Sequence, residues 1–401
     1  MFRKGLMATA ALVALLAMPI DTPSAQTPHR AVGASLNTIL DQIRARFELP
    51  ALAAAVVKNG KIIASGAVGT RRAGTAIPVT IDDRFHIGSD TKAMTSLLAA
   101  MLVEGGKIRW NSTVAEIFPE RVATMDSDVK AVTLEQLLSH TSGIPSDNDG
   151  HEKLLQQSFA QEHKNLDELR YWIIGELIRQ PLQSKPGAKF AYANMGYILA
   201  GAMLERVSGK TWEELIVERV FNPLELKSAG LGPQSTLGRI DAPLGHVPLP
   251  DGMLKPMLAG PYGDNPEVLG PAGTAHLSVL DLATWAAWNA GEGKRGPSLV
   301  RPETLRKLHT KVIDMPSKPD APVGTPSSGS YGLGWVTVTP PFAHEPFLFH
   351  GGSNEMNVAY IMLQPRRDFG IVMMTNAGGL KADQALNALG ADLYKRFFPT
   401  H

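Results

Sequence analysis

Strand-like runs gather at the two ends of this chain, and helical periodicity fills the stretch between them. Near the start, residues 52–57 and 61–68 are apolar runs joined by Asn59-Gly60, a dipeptide suited to a two-residue hairpin turn. Near the end, residues 331–339, 347–350, 357–363 and 369–375 read as strands, with Pro365-Arg366-Arg367-Asp368 turning between the last two. The pattern predicts an α/β fold, an antiparallel sheet flanked by helices and interrupted by an inserted all-helical domain. The division it predicts is a leader over residues 1–25, an α/β domain from residues 26–95 and 290–401, and a helical domain over residues 96–289. A catalytic cleft would lie at the seam.

Helical spacing marks residues 32–47, where Leu36, Ile39, Leu40, Ile43 and Phe47 recur on one face. It returns over 166–178, over 194–207 with Ser208-Gly209 as a stop, over 279–290, and over 383–398. Thr133 reads as a helix cap before Leu134-Glu135-Gln136-Leu137-Leu138. Residues 225–273 lack periodicity and are rich in Pro and Gly, so they read as long loops rimming a cleft. Residues 316–330 form a Pro/Ser/Gly connector.

Composition removes several function classes. Lys and Arg total 39 against 38 Asp and Glu, a balance that gives no pull toward nucleic acid. The absence of cysteine excludes a disulfide scaffold, a thiol nucleophile and thiolate metal sites. No His-x-x-x-His pair occurs, so the sequence predicts neither a metal nor a cofactor. Arg3 and Lys4 precede an apolar run over residues 6–20 and the exit Thr22-Pro23-Ser24-Ala25. This reads as a secretory signal peptide or, if uncleaved, an anchor; it predicts a periplasmic or secreted protein with no membrane span after processing.

Three short constellations carry chemistry. In Gly88-Ser89-Asp90-Thr91-Lys92, Ser89 and Lys92 are three residues apart at the opening of a helix that runs to Glu104, so they share a face. A serine hydroxyl needs a base to become a nucleophile, and a desolvated lysine can serve; a helix cap followed by a solvated lysine has the same spelling. Tyr192-Ala193-Asn194 stands at the start of the 194–207 helix, giving either a second proton carrier and an amide for orienting substrate, or a packed tyrosine beside a turn asparagine. His350-Gly351-Gly352-Ser353 ends an apolar run. There His350 could bind a substrate carboxylate when charged, and two glycines would admit a substrate backbone close to the strand edge; a glycine-rich strand end with an incidental histidine reads the same way.

Together the three resemble, in this order, the serine β-lactamase and penicillin-binding-protein superfamily. The similarity is to the class C β-lactamase-like branch with its D-alanyl-D-alanine carboxypeptidases, D-aminopeptidases, linear-peptide hydrolases and family VIII carboxylesterases. Leu137-Leu138-Ser139-His140-Thr141-Ser142-Gly143, Gly270-Pro271-Ala272-Gly273 and Tyr331-Gly332-Leu333-Gly334-Trp335 read like that branch too. The resemblance implies Ser89 as nucleophile, Lys92 and Tyr192 sharing acid and base work, and Asn194, His350, Gly351, Gly352 and Ser353 in substrate binding. The N–H groups of Ser89 and Ser353 would form the oxyanion hole. His350 stands where class C β-lactamases carry a lysine, which implies a peptidase or amidase acting on a small or linear peptide, with a carboxylesterase as the alternative. A β-lactamase fits less well because His350 replaces the fixed cation suited to a lactam carboxylate, and a binding protein that has lost its chemistry because Ser89, Lys92 and Tyr192 are all present.

Overall fold

The computed structural model describes residues 32–146, 149–162, 165–260, 263–318, 320 and 327–398. The leader over residues 1–25, and residues 319 and 321–326 of the expected connector, lie outside the described residues.

The hairpin forms where Asn59-Gly60 predicts it. Strands β2 (Ala51–Lys58) and β3 (Lys61–Gly69) turn through these two residues at φ 52° and 73°, the positive pair that a tight hairpin needs. A short β1 (Ala34–Ser35) lies parallel to β3. The other end of the chain supplies β4 (Ile313–Met315), β5 (Gly329–Tyr331), β6 (Val336–Val338), β7 (Phe347–Ser353), β8 (Val358–Gln364) and β9 (Phe369–Thr375). All join one sheet in the order β1-β3-β2-β9-β8-β7-β6-β5-β4, antiparallel at every pairing except β1–β3. The two chain ends meet at β2–β9, where Leu52 faces Thr375 and Lys58 faces Phe369.

Six helices cover the sheet or carry the site: α1 (Asn37–Arg46), α2 (Thr91–Glu104), α3 (Leu166–Leu177), α4 (Asn194–Ser208), α5 (Val279–Ala290) and α6 (Leu380–Phe397). Side chains alternate across a strand, and here both faces are covered. Leu52, Ala54 and Val56 of β2 with Ile371 and Met373 of β9 pack under Leu40, Leu386 and Leu389 of α1 and α6. Ala53, Ala55 and Val57 with Val372 and Met374 face the opposite way, against Leu282, Ala283 and Trp285 of α5, in a core that continues into α2, α3 and α4. Strands buried on both faces read as near-continuous apolar runs, as β2 and β9 do up to Lys58 and Thr375 at their ends.

Several boundaries differ from the sequence reading, two of them for reasons seen in the packing. Residues 331–339, expected as one strand, form the end of β5, a turn and β6, because Gly334 adopts φ 79° and lies against α2. A Cβ there would come within 2.9 Å of the Ala93 Cα and the Lys92 carbonyl oxygen. The first helix begins at Asn37, since the preceding Ala34–Ser35 pairs with β3 instead.

The helical region is pinned by Arg170 of α3, which is fully buried. Its guanidinium donates to Glu205 of α4 from Nε at 2.9 Å and to Glu213 from Nη1 at 2.9 Å. Two carboxylates share the guanidinium, so only the loss of both would strand its buried charge. The arrangement fixes α4, whose first residue is Asn194. Among the described residues no helix is long and apolar enough to cross a membrane.

Candidate active site

Ser89 sits in a single 3-10 turn, Gly88–Asp90, that leads into α2. The turn requires Gly88 at φ 49°, where a Cβ would come 2.4 Å from the Ser353 nitrogen. Ser89 is 9% exposed and Lys92 is completely buried. Lys92 Nζ donates to Ser89 Oγ at 2.9 Å, to Asn194 Oδ1 at 2.7 Å and to the Ala272 carbonyl at 2.7 Å. A lysine nitrogen offers up to three N–H bonds, and these acceptors aim it at the serine oxygen. Nζ also stands 4.9 Å from the centre of the Tyr192 ring and 5.4 Å from that of Tyr197, at cation–π distance. The structure therefore brings Ser89, Lys92, Tyr192 and Asn194 into one cluster, with Gly352 and Ser353 beside the Gly88–Ser89 turn.

His140 holds the tyrosine side of this cluster, where the sequence alone suggests no more than a structural turn. Its backbone takes φ 57°, and its Nδ1 accepts the Ala193 N–H at 3.2 Å. Its ring centre lies 4.3 Å from that of Tyr192 and 4.8 Å from that of Tyr331. Burial, with the nearby Lys92 and His350, pushes the imidazole well below its ordinary value, which keeps Nδ1 free to accept. The helix Leu134–Leu138, capped by Thr133 and Gln136 as a box, delivers His140 to this place.

His350 corrects the sequence reading. A charged imidazole reaching a substrate carboxylate was expected, but the side chain is fully buried. Its Nδ1–H donates to the Gly351 carbonyl at 2.8 Å, and its Nε2 accepts from the Tyr331 hydroxyl at 3.1 Å. Burial first, and the charge of Lys92 second, lower its pKa to about 3. It is a neutral strut behind the site. The second glycine is also explained differently. A Cβ on Gly352 would sit 1.9 Å from the Ile87 carbonyl oxygen and 2.8 Å from the Ser89 nitrogen, so the residue is small to let β7 press on the serine turn. Gly351 faces the ring of Tyr360, 2.9 Å from where its own Cβ would be.

His86, one of several scattered histidines in the sequence, also belongs to the site. Its Nδ1 accepts the Gly88 N–H at 3.0 Å, one residue before the serine. A histidine two positions ahead of a glycine that must take positive φ was the available signal.

Comparison with known proteins agrees with this fold. Residues 36–395 match the family model described as Beta-lactamase. Protein flp of Staphylococcus aureus (strain MW2) is 25% identical over 346 residues, covering 85% of this chain and 62% of that protein. The chain thus spans less than two thirds of the length of that curated relative. Among solved structures, the octameric penicillin-binding protein homologue from Pyrococcus abyssi superposes with a TM-score of 0.69 at 26% identity, covering 88% of this chain and 76% of that one. A D-stereospecific amidohydrolase from Streptomyces sp. gives a TM-score of 0.68 over 91% of this chain and 98% of that one. Its 20% identity speaks for the fold alone.

Proposed function

Because this chain belongs to the Beta-lactamase family, we propose that it is a secreted serine hydrolase that cleaves an amide bond in a small or linear peptide through an acyl-serine intermediate. The observation that carries the reading is Lys92 Nζ at 2.9 Å from Ser89 Oγ, with Asn194 and Tyr192 converging on the same nitrogen. Ser89 Oγ attacks the substrate carbonyl carbon and its proton passes to the Lys92–Tyr192 pair. The backbone N–H groups of Ser89 and Ser353 receive the developing oxyanion. The pair returns the proton to the leaving amine, the C–N bond breaks, and a water then attacks the acyl-serine ester to release the acid.

The buried, neutral His350 supports a substrate other than a β-lactam, since no cation stands at that position to hold a lactam carboxylate. The same feature suits a carboxylesterase, which is the second reading. An apolar leader over the first 25 or so residues supports export.

A panel of p-nitrophenyl esters, nitrocefin, L- and D-aminoacyl amides and linear peptides, run on the mature protein, tests the choice. Peptides and aminoacyl amides should be cleaved, esters faster still because their leaving group needs less protonation, and nitrocefin slowly or not at all. Rapid hydrolysis of short esters with every peptide and amide intact would replace the peptidase reading by the esterase.

A further inference from the structure

Asp264 lies in a loop outside the residues given roles above, yet its side chain is only 3% exposed. A buried carboxylate is costly unless it has polar partners, and the two nearest its Oδ1 come from two separate walls of the site. Its Oδ1 stands 3.0 Å from His86 Nε2 and accepts from Asn354 Nδ2 at 2.9 Å.

Each partner is fixed on its far side. His86 Nδ1 takes the Gly88 N–H at 3.0 Å, which leaves the hydrogen of a neutral ring on Nε2, the ring atom 3.0 Å from Asp264 Oδ1. Asn354 follows Ser353 directly, and its Oδ1 accepts from Asn357 Nδ2 at 3.0 Å and the Met356 N–H at 3.3 Å. Two donors on its oxygen turn its amide nitrogen to Asp264 and settle its orientation. The next residue, Asn265, donates to the Gly273 carbonyl at 2.8 Å, adjacent to the Ala272 carbonyl that holds Lys92.

We propose that Asp264 is a positioning residue for acylation: by tying Gly88 through His86 to Ser353 through Asn354, its carboxylate sets the separation of the Ser89 and Ser353 N–H groups. The proposal rests on the serine-hydrolase reading. Neither N–H touches Asp264, so its effect reaches the reaction only through the two segments it joins. The consequence is specific to the transition state, where the oxyanion is most sensitive to donor placement.

Asp264→Ala, Asp264→Asn, Asn354→Ala and the double Asp264→Ala/Asn354→Ala variants test it, with p-nitrophenyl butyrate as substrate, a fluorophosphonate as label for Ser89, and thermal unfolding as the check on folding. Asp264→Ala should lower kcat about 10- to 100-fold with KM within about three-fold of wild type. Asp264→Asn keeps an oxygen acceptor for both partners and should recover most of the rate. The double variant should be no slower than Asp264→Ala, because both substitutions cut one tie. A folded Asp264→Ala enzyme with kcat within about two-fold of wild type overturns the proposal, as does a loss carried wholly by KM. So does Asp264→Asn as slow as Asp264→Ala. If Asp264→Ala fails to fold, an unchanged kcat in Asn354→Ala overturns it instead. A wild type that leaves Ser89 unlabelled removes the serine-hydrolase reading and the proposal together; a labelled Ser89 with an unaffected Asp264→Ala removes the proposal alone.

Discussion

Asp90 Oδ1 and His350 Nδ1 lie 3.5 Å apart, both side chains fully buried, with Asp90 directly after Ser89 in the chain. Burial drives the carboxyl of Asp90 well up and the imidazole of His350 down to about 3. The imidazole is therefore neutral around pH 7, and burial disfavours the ionised form of the carboxyl beside it.

Ser89→Ala should abolish fluorophosphonate labelling and lower kcat by several orders of magnitude, because the acyl intermediate cannot form. The fold should remain, with a stability change of at most about 1–3 kcal/mol from the acceptor that buried Lys92 loses. Turnover above about a tenth of wild type would remove Ser89 as nucleophile.

Lys92→Arg retains charge but cannot yield a proton, and a guanidinium does not fit a pocket built of three acceptors around one nitrogen. The expected enzyme is nearly inactive on esters and amides alike. Near-normal kcat in a steady-state assay would exclude lysine from proton transfer.

His350→Ala should cost about 2–4 kcal/mol by leaving a cavity and removing one partner of the Tyr331 hydroxyl. Since the ring does not meet substrate, KM for carboxylate-bearing and neutral substrates should shift by the same factor. A selective rise in KM for carboxylate-bearing substrates would restore the anchor role that the buried ring argues against.

Gly352→Ala should yield little folded protein, because the methyl would meet the Ile87 carbonyl oxygen at 1.9 Å, backbone against backbone on both sides. Soluble yield and melting temperature close to wild type would show that β7 can move away from the serine turn.

Acidification should destabilise the fold. Burial lowers His276 to about 4 and His309 and His350 to about 3, and His140 well below its ordinary value. Unfolding between about pH 4 and pH 6.5 therefore takes up protons on all four, and stability falls as pH drops through that window. Asp90 works in the opposite sense, because its raised carboxyl holds a proton that the unfolded chain releases above about pH 4. The histidines outnumber it, and each net proton is worth about 1.4 kcal/mol per pH unit. Urea midpoints measured at about pH 7 and about pH 5 should differ, the acidic one lower; equal midpoints would mean that these histidines are not buried neutral.

Local chemistry was legible in the sequence, and contacts between distant segments were not. Asn59-Gly60, the Thr133 box and the Gly209 stop act within a few residues, and each element formed where its residues predict. The same holds for Ser89 and Lys92, whose spacing on one helix almost fixes their contact. His350 was misread because a strand's period says which residues share a face but not which face meets solvent. Gly334 and Gly352 are glycines on account of α2 and the serine turn, neighbours that only the fold supplies. Asp264 offers no local pattern at all.

The β2–β9 pairing also orders events during synthesis. The strand that sits between the hairpin and the rest of the sheet, Phe369–Thr375, is made long after the hairpin it pairs with. Until it arrives, Ala51–Lys58 has an unsatisfied edge, and β7 with its neighbours β6 and β8 is not joined to the hairpin. The sheet therefore stays open until that strand has been made, with long-range closure as its slow step. A nascent chain released before residue 369 would carry Ser89 and Lys92 without the framework that makes them a site.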